Sequence, residues 1–327
     1  MPMTTPHDDL PGTPHGAPPP APLRFGLLGT GPWAHATHAP ALDAHPGVEF
    51  VGVWGRRPEA AAELADRFGA RAHSDVDALL ADCDAVAVAL PPDIQAPLAV
   101  RAAEAGCHLL LDKPVATTPG GAAEVAAAAE RAGVASVVFF TLRFSPTTAG
   151  WIDARAAARD WLLGRADWLS PVFGGADSPY AASPWRKEKG ALWDVGPHAL
   201  SVLLPVLGDV ADVAAVAGPG DTVHLTLRHH GGASSTVTVS HTVPPGAAGV
   251  TAEVRGPAGV AVLPEREEPP AESFGHALDA LLRAVRTGTP DACDLRFGRR
   301  VTEILAGAEA ALGAVPGLDT ERAAAAR

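Results

Sequence analysis

Two places in this chain hold residues able to move a proton and grip a reacting oxygen. The first is Asp112-Lys113-Pro114, at the end of the apolar run HLLLDKP. A lysine leaving a buried strand carries an ammonium that can hydrogen-bond a substrate oxygen. Pro114 biases Lys113 toward extended backbone. The second is Gly190-Ala191-Leu192-Trp193-Asp194-Val195-Gly196-Pro197-His198. Asp194 and His198 are four residues apart, so one helical turn puts them on the same side. Imidazole is the natural proton acceptor near neutral pH, and the aspartate orients it or binds a hydroxyl. The plainer readings are a surface lysine at a strand end and a helix cap beside a satisfied core histidine. No third ligand has the local spacing of a metal site, so no metal is expected.

A third constellation would hold a cofactor. Gly29-Thr30-Gly31-Pro32-Trp33-Ala34 reads G-x-G-x-x-A between a short apolar run, LRFGLLG, and a helical pattern. The first glycine permits a tight turn, and the second lets the backbone approach a pyrophosphate. The small Ala34 allows close helix–strand packing, and the helix start favours anions. Gly29, Thr30, Gly31, Pro32 and Trp33 are therefore expected at a dinucleotide, although any glycine-rich strand-to-helix turn shares the pattern. The second strand ends as Trp54-Gly55-Arg56-Arg57 rather than in a carboxylate, and Glu49 comes too early to serve. Without a carboxylate to repel it, a 2′-phosphate fits there, and Arg56 and Arg57 offer guanidinium forks to it. This favours NADP over NAD; solvated helix-entry arginines are the plainer alternative.

These residues need elements to position them. Strands at 23–29, 48–55, 84–91, 108–114 and 134–140 alternate with helical stretches from about 33 to 44, 58 to 68, 94 to 105 and 120 to 132. Pro58 opens and Gly69 closes the second helix, the expected asymmetry. Alternation of this kind argues for βαβ units and a doubly wound parallel sheet. Near residue 141 the pattern changes. DTVHLTLRHH (221–230) and SSTVTVSHTV (234–243) alternate apolar and polar residues, as antiparallel strands with one wet face do. Two more strands are expected in 252–264, and helical period returns at 273–285 and 295–312. The fold class is α/β: a Rossmann domain over 23–140, then an α+β domain over 141–315 with an open, mostly antiparallel sheet and terminal helices. The proline-rich 1–22 and the end 316–327 are expected to be tails, and deletion of 1–22 should leave activity unchanged.

Composition removes several function classes. The chain has 327 residues, enough for two domains, with 47% hydrophobic and 19% charged residues. Its net charge is −12, which repels nucleic acid and anionic lipid, so neither is an expected partner. No run of 18 apolar residues lacks a breaker, so no membrane span is expected. Cys83, Cys107 and Cys293 are odd in number and far apart, which suits a reducing cytoplasm rather than a disulfide framework.

Together, GTGPWA, the Pro91-Pro92 pair, DKP and GALWDVGPH resemble the Gfo/Idh/MocA oxidoreductases, from Leu23 to about Leu312. Asp112 departs from the family's usual Glu-Lys-Pro, and Ser201 stands where many relatives carry a further aspartate. The latter weakens any assignment to cyclitol dehydrogenases. The resemblance implies hydride exchange between NAD(P) and a sugar, polyol or related small carbonyl compound. It makes Lys113 the active-site lysine and Asp194 and His198 the paired substrate-side residues. His198 would take the hydroxyl proton. Lys113 would polarise the same oxygen or relay the proton, and would also lie at the cofactor. Pro91 and Pro92 would line the cofactor ribose, and Arg143, Trp185 and Arg186 would contact substrate. It also implies a homodimer or homotetramer formed through the second sheet. A non-catalytic NAD(P)-binding sensor and an NAD-dependent glycosidase on the same fold remain the alternatives.

Overall fold

The computed structural model describes residues 21–175 and 177–313. The expected tails, 1–22 and 316–327, lie outside those residues apart from Ala21 and Pro22. Six strands form the first sheet: β1 (Leu23–Leu28), β2 (Val48–Trp54), β3 (Arg71–His73), β4 (Ala85–Val88), β5 (His108–Asp112) and β6 (Ser136–Phe139). Their order is β3-β2-β1-β4-β5-β6, and every pairing is parallel. All four residues of β4 are buried, as a strand covered on both faces requires. The order reverses between β1 and β4, so a crevice opens outside their carboxyl ends, where such sheets bind ligands.

Helices α1 (Ala39–Ala44), α2 (Pro58–Phe68), α3 (Val76–Asp82), α4 (Pro92–Glu104) and α5 (Pro119–Ala132) connect these strands. Their ends follow local chemistry. Gly69 and Gly133 close α2 and α5 in the left-handed region, and the Thr118 hydroxyl caps α5 by accepting from Gly121 N at 3.1 Å. The expected first helix starts as a π-helical stretch, Ala34–His38, before α1.

After α6 (Thr141–Phe144) and α7 (Pro146–Ala158), the second sheet begins with β7 (Leu163–Leu169). Helices α8 (Pro184–Asp194) and α9 (Gly196–Leu207) follow, then β8 (Val210–Ala217), β9 (Val223–His229), β10 (Ser234–Ser240), β11 (Gly249–Gly256) and β12 (Gly259–Val262). The order is β12-β11-β7-β10-β9-β8. Only β7 and β10 pair in parallel, so the sheet is mostly antiparallel, as expected. Strand β9 alternates buried and exposed along its whole length. The continuous helical path Pro184–Leu207 is long and apolar enough to cross a membrane, but 83% of its most apolar window is buried in protein.

The sequence places the terminal helices with the second domain, and the first of them packs both on α6 of that domain and on the first sheet. α10 (Pro270–Thr287) packs on β5, β6 and α1 of the first domain, with Phe274 against His38 at 4.1 Å between ring centres. α11 (Leu295–Gly313) touches α5 and β6 on one side and β8 and α9 on the other. The physical reason is the broad apolar stripe of α10, which includes Phe274, Leu278 and Leu281 and needs a covered face to bury.

Candidate active site

Gly29 follows β1 with φ +128°, and a Cβ there would collide with the carbonyl oxygen of Ala89. Its N–H donates to Trp54 O at 2.8 Å, fixing the turn between β2 and β4. Only glycine suits this position. Gly31 is the opposite case: an added Cβ would meet nothing within 4 Å. Its backbone is open at the start of a helix, which fits the approach of a pyrophosphate. Thr30 lies beneath Gly55, where a Cβ would sit 2.7 Å from the Thr30 methyl. Pro32 is exposed, and Trp33 is half-buried.

Arg56 and Arg57 follow β2 and are exposed, and their guanidinium groups form no ion pair or hydrogen bond among the described residues. Pro91 and Pro92 stand at the start of α4, where the Pro91 carbonyl accepts from Gln95 N at 2.8 Å. These residues follow the carboxyl ends of β1, β2 and β4, on the edge of the sheet where the switch point lies, and they fit a nicotinamide dinucleotide.

Lys113 leaves β5 through a cis peptide to Pro114. A residue the sequence reading passed over holds this exit. Gln95 on α4 is fully buried. Its Nε2 donates to the carbonyl oxygens of Asp112, Pro114 and Val115 at 2.8, 3.1 and 3.3 Å, and its Oε1 accepts from Asp112 N at 3.0 Å. On the other side His38 Nε2 lies 3.3 Å from Asp112 Oδ2.

From this exit the Lys113 ammonium crosses to the second domain. Nζ donates to the Asp194 carbonyl oxygen at 2.6 Å and to Asp194 Oδ1 at 3.0 Å. Asp194 ends α8, whose backbone breaks at Gly190 (φ 64°, ψ −167°). Its other oxygen, Oδ2, accepts from Arg186 Nε at 2.7 Å and from His241 Nε2 at 3.1 Å. Burial alone would raise the Asp194 pKa. Lys113, the His241 hydrogen bond and Arg186 outweigh it and hold the carboxyl well below its ordinary value. Asp194 is therefore a buried, ionised carboxylate.

Trp185 and Tyr180 flank Arg186, with its guanidinium carbon 4.8 Å from each ring centre. Burial raises the Tyr180 hydroxyl pKa, opposed by Arg186. His198, near the start of α9, stacks on Trp168 at 5.7 Å and keeps a partly open edge. Burial and then the Lys113 charge push its pKa down to about 3, so its imidazole is neutral near pH 7. The expected placement of Asp194 and His198 on one helical turn becomes a junction: Val195, with helical backbone angles, joins α8 to α9. Both remain within electrostatic reach of Lys113.

The structure brings together Lys113, Asp194, His198, Trp185 and Arg186. It does not bring Arg143 to them. Arg143 is on α6, with Nη2 3.9 Å from Asp153 Oδ1 and its guanidinium beside Cys293. Sequence reasoning missed Gln95, His241 and Tyr180. The Tyr180 signal was available, since it is the chain's single tyrosine and lies shortly before Trp185-Arg186. No group of three or more potential metal-binding side chains occurs among the described residues.

The Rossmann sheet and the mixed second sheet agree with comparisons to known proteins. A model of the oxidoreductase family with an NAD-binding Rossmann fold matches residues 23–140, and its C-terminal domain model matches 151–262. The chain belongs to the Gfo/Idh/MocA oxidoreductase family. Among curated relatives, dTDP-3,4-didehydro-2,6-dideoxy-alpha-D-glucose 3-reductase of Streptomyces antibioticus is 34% identical over 190 residues, which is 57% of each chain. D-apiose dehydrogenase of Paraburkholderia graminis is 29% identical over 232 residues, 67% of this chain and 60% of the relative. The matches thus span under two thirds of these relatives' lengths. The fold is shared with GenD2 from gentamicin A biosynthesis in complex with NAD, at 24% identity and TM-score 0.79 over 92% of this chain and 97% of that one. Levoglucosan dehydrogenase, in complex with NADH and levoglucosan, gives TM-score 0.75 at 21% identity over 89% and 97%.

Proposed function

We propose that the protein is an NAD(P)-dependent oxidoreductase that interconverts a hydroxyl and a carbonyl on a sugar, polyol or related small molecule. The observation that carries this reading is the Lys113–Asp194 pair with neutral His198 beside it, at the carboxyl edge of a sheet whose glycine turn fits a dinucleotide. Relatives named as a sugar 3-reductase and an apiose dehydrogenase support the substrate class. Gly29 to Trp33, Pro91 and Pro92 would hold the cofactor, whose nicotinamide supplies or takes the hydride when bound. His198 takes the hydroxyl proton during oxidation and returns it during reduction. Lys113, held by Asp194, hydrogen-bonds the same oxygen and stabilises its developing charge. Trp185 and Arg186 line the substrate side.

The cofactor we propose is NADP, because Arg56 and Arg57 are unpaired and no carboxylate ends β2. We further propose a cytoplasmic enzyme that self-associates as a homodimer or homotetramer through the second sheet. Exposed Leu163, Val216, Val250, Val260 and Val262 on that sheet support the self-association. The deciding experiment follows the reduced-nicotinamide absorbance with NADPH, NADH and their oxidised forms against a panel of sugars and keto-sugars. Turnover of a member of the panel is the expected result. A cofactor that binds tightly and never changes redox state would replace this reading with that of a sensor.

A further inference from the structure

The buried His229 satisfies both of its ring nitrogens. His229 places Nδ1 on the Gly208 carbonyl oxygen at 2.7 Å and Nε2 on Ser235 Oγ at 2.9 Å. His241, just after β10, behaves differently. It is 1% exposed, and its backbone is pinned on both sides. The His241 N–H donates to Asp221 Oδ1 at 2.8 Å, and its carbonyl accepts from Phe173 N at 2.8 Å. The Phe173 ring meets the imidazole edge-on at 5.7 Å. Asp221 also accepts from Ala191 N at 3.1 Å, so one carboxylate ties the strand carrying His241 to the helix carrying Asp194. The imidazole itself touches a single polar group, Asp194 Oδ2, while Nδ1 is buried without a partner among the described residues. Buried polar groups are normally paired. Here one nitrogen is left unpaired, and the fixed ring holds the candidate catalytic carboxylate with the other.

We infer that His241 is a positioning residue: with Arg186 it fixes Asp194 Oδ2, so that Oδ1 stays presented to Lys113. The inference rests on reading this cluster as an oxidoreductase active site, and it gives His241 no contact with substrate or cofactor. Asp194 is faced by Lys113 from the end of β5, Arg186 from α8, and His241 from the end of β10, with His198 of α9 nearby. Without the His241 donor, one guanidinium N–H alone holds Oδ2. The carboxylate is then less restrained about its Cβ–Cγ bond, and Oδ1 is less firmly presented to the Lys113 ammonium.

The test compares His241→Phe, which keeps a flat ring beside Phe173, with His241→Gln, which restores an N–H donor. Both are measured on the full chain with cofactor and a substrate found in the panel. His241→Phe should lower kcat by about tenfold or more with cofactor affinity unchanged, as expected for a displaced catalytic group. His241→Gln should recover most of that loss. In an Asp194→Asn background the Phe substitution should cost less than about twofold, because residues acting through one partner are non-additive. A second arm needs no substrate: nitrogen NMR of labelled histidine should show His241 protonated at Nε2, with its signals displaced by Asp194→Asn. Equal losses for Phe and Gln, an undiminished loss in the Asp194→Asn background, or a ring protonated only at Nδ1 would overturn the inference. Absence of wild-type turnover across the panel would overturn the oxidoreductase reading instead, and the NMR arm would still decide the His241–Asp194 bond.

Discussion

Lys113 Nζ and Asp194 Oδ1 lie 3.0 Å apart, across 81 positions of sequence and across the two sheets. Neither partner is well solvated, with side chains 13% and 8% exposed. A buried pair of this kind is costly to break from one side, because the remaining charge loses its partner. Lys113→Ala, with Lys113→Met as a shape control, should cut hydride transfer by at least about a hundredfold. Cofactor affinity, read by quenching of protein fluorescence, should stay near the wild-type value. Near-normal turnover would remove Lys113 from the proposed chemistry.

Arg56 and Arg57 test the cofactor choice separately. A hydrogen bond to a charged group contributes about 1.5–3 kcal/mol, so losing both should weaken NADPH binding by roughly a hundredfold or more. NADH has no 2′-phosphate and should be almost unaffected. An equal loss for both cofactors would defeat the 2′-phosphate assignment.

The two turn glycines should fail in different ways. Gly29→Ala places a methyl against the Ala89 carbonyl at a φ of +128°, so it should lower the thermal midpoint whether or not cofactor is present. Gly31→Ala has open space around it and should leave the midpoint of the apoprotein unchanged. Its effect should appear only as weaker cofactor binding. Identical behaviour of the two variants would contradict this division between a turn constraint and a binding surface.

Gln95→Ala should destabilise the fold by about 2–4 kcal/mol, since each buried backbone group left unpaired costs about 1–3 kcal/mol and some will rearrange. The denaturation midpoint reads this loss. Turnover should fall as well, because the released Asp112–Val115 segment carries Lys113.

His198 predicts an acid effect with a definite sign. Its folded pKa is pushed down to about 3, below the ordinary 6.5 of the unfolded chain. Between those values the unfolded state binds the extra proton, so stability falls as pH drops through that window. His198→Gln removes this proton linkage. Relative to the variant, the wild type should lose on the order of 1–2 kcal/mol between pH 7 and pH 4.5, after allowance for the ring's partial exposure. Parallel pH profiles would show that the imidazole is not held neutral.

The first domain was legible because its signals are local. The apolar β4, the Pro58-to-Gly69 helix and the glycine turn each carry their structure within a dozen residues. β3 and α3 escaped reading because they are too short to show a period. The site was legible where a residue stands in a run with its own logic, as Lys113 does after β5 and His198 does after Asp194. Gln95 and His241 had no such signal. Each acquires its role from a partner far along the chain, 17 residues away for Asp112 and 47 for Asp194, and side-chain spacing does not encode those meetings. Arg143 shows the reverse, a cation in a suggestive place whose neighbours are Asp153 and Cys293.

The return of α10 to the first sheet bears on how such chains can be recombined. A crossover near residue 140 exchanges one substrate domain for another. It would also import a foreign helix against His38, the side chain that flanks Asp112 from behind. Successful chimeras should therefore need two junctions, with Pro270–Thr287 inherited from the same parent as the nucleotide-binding half.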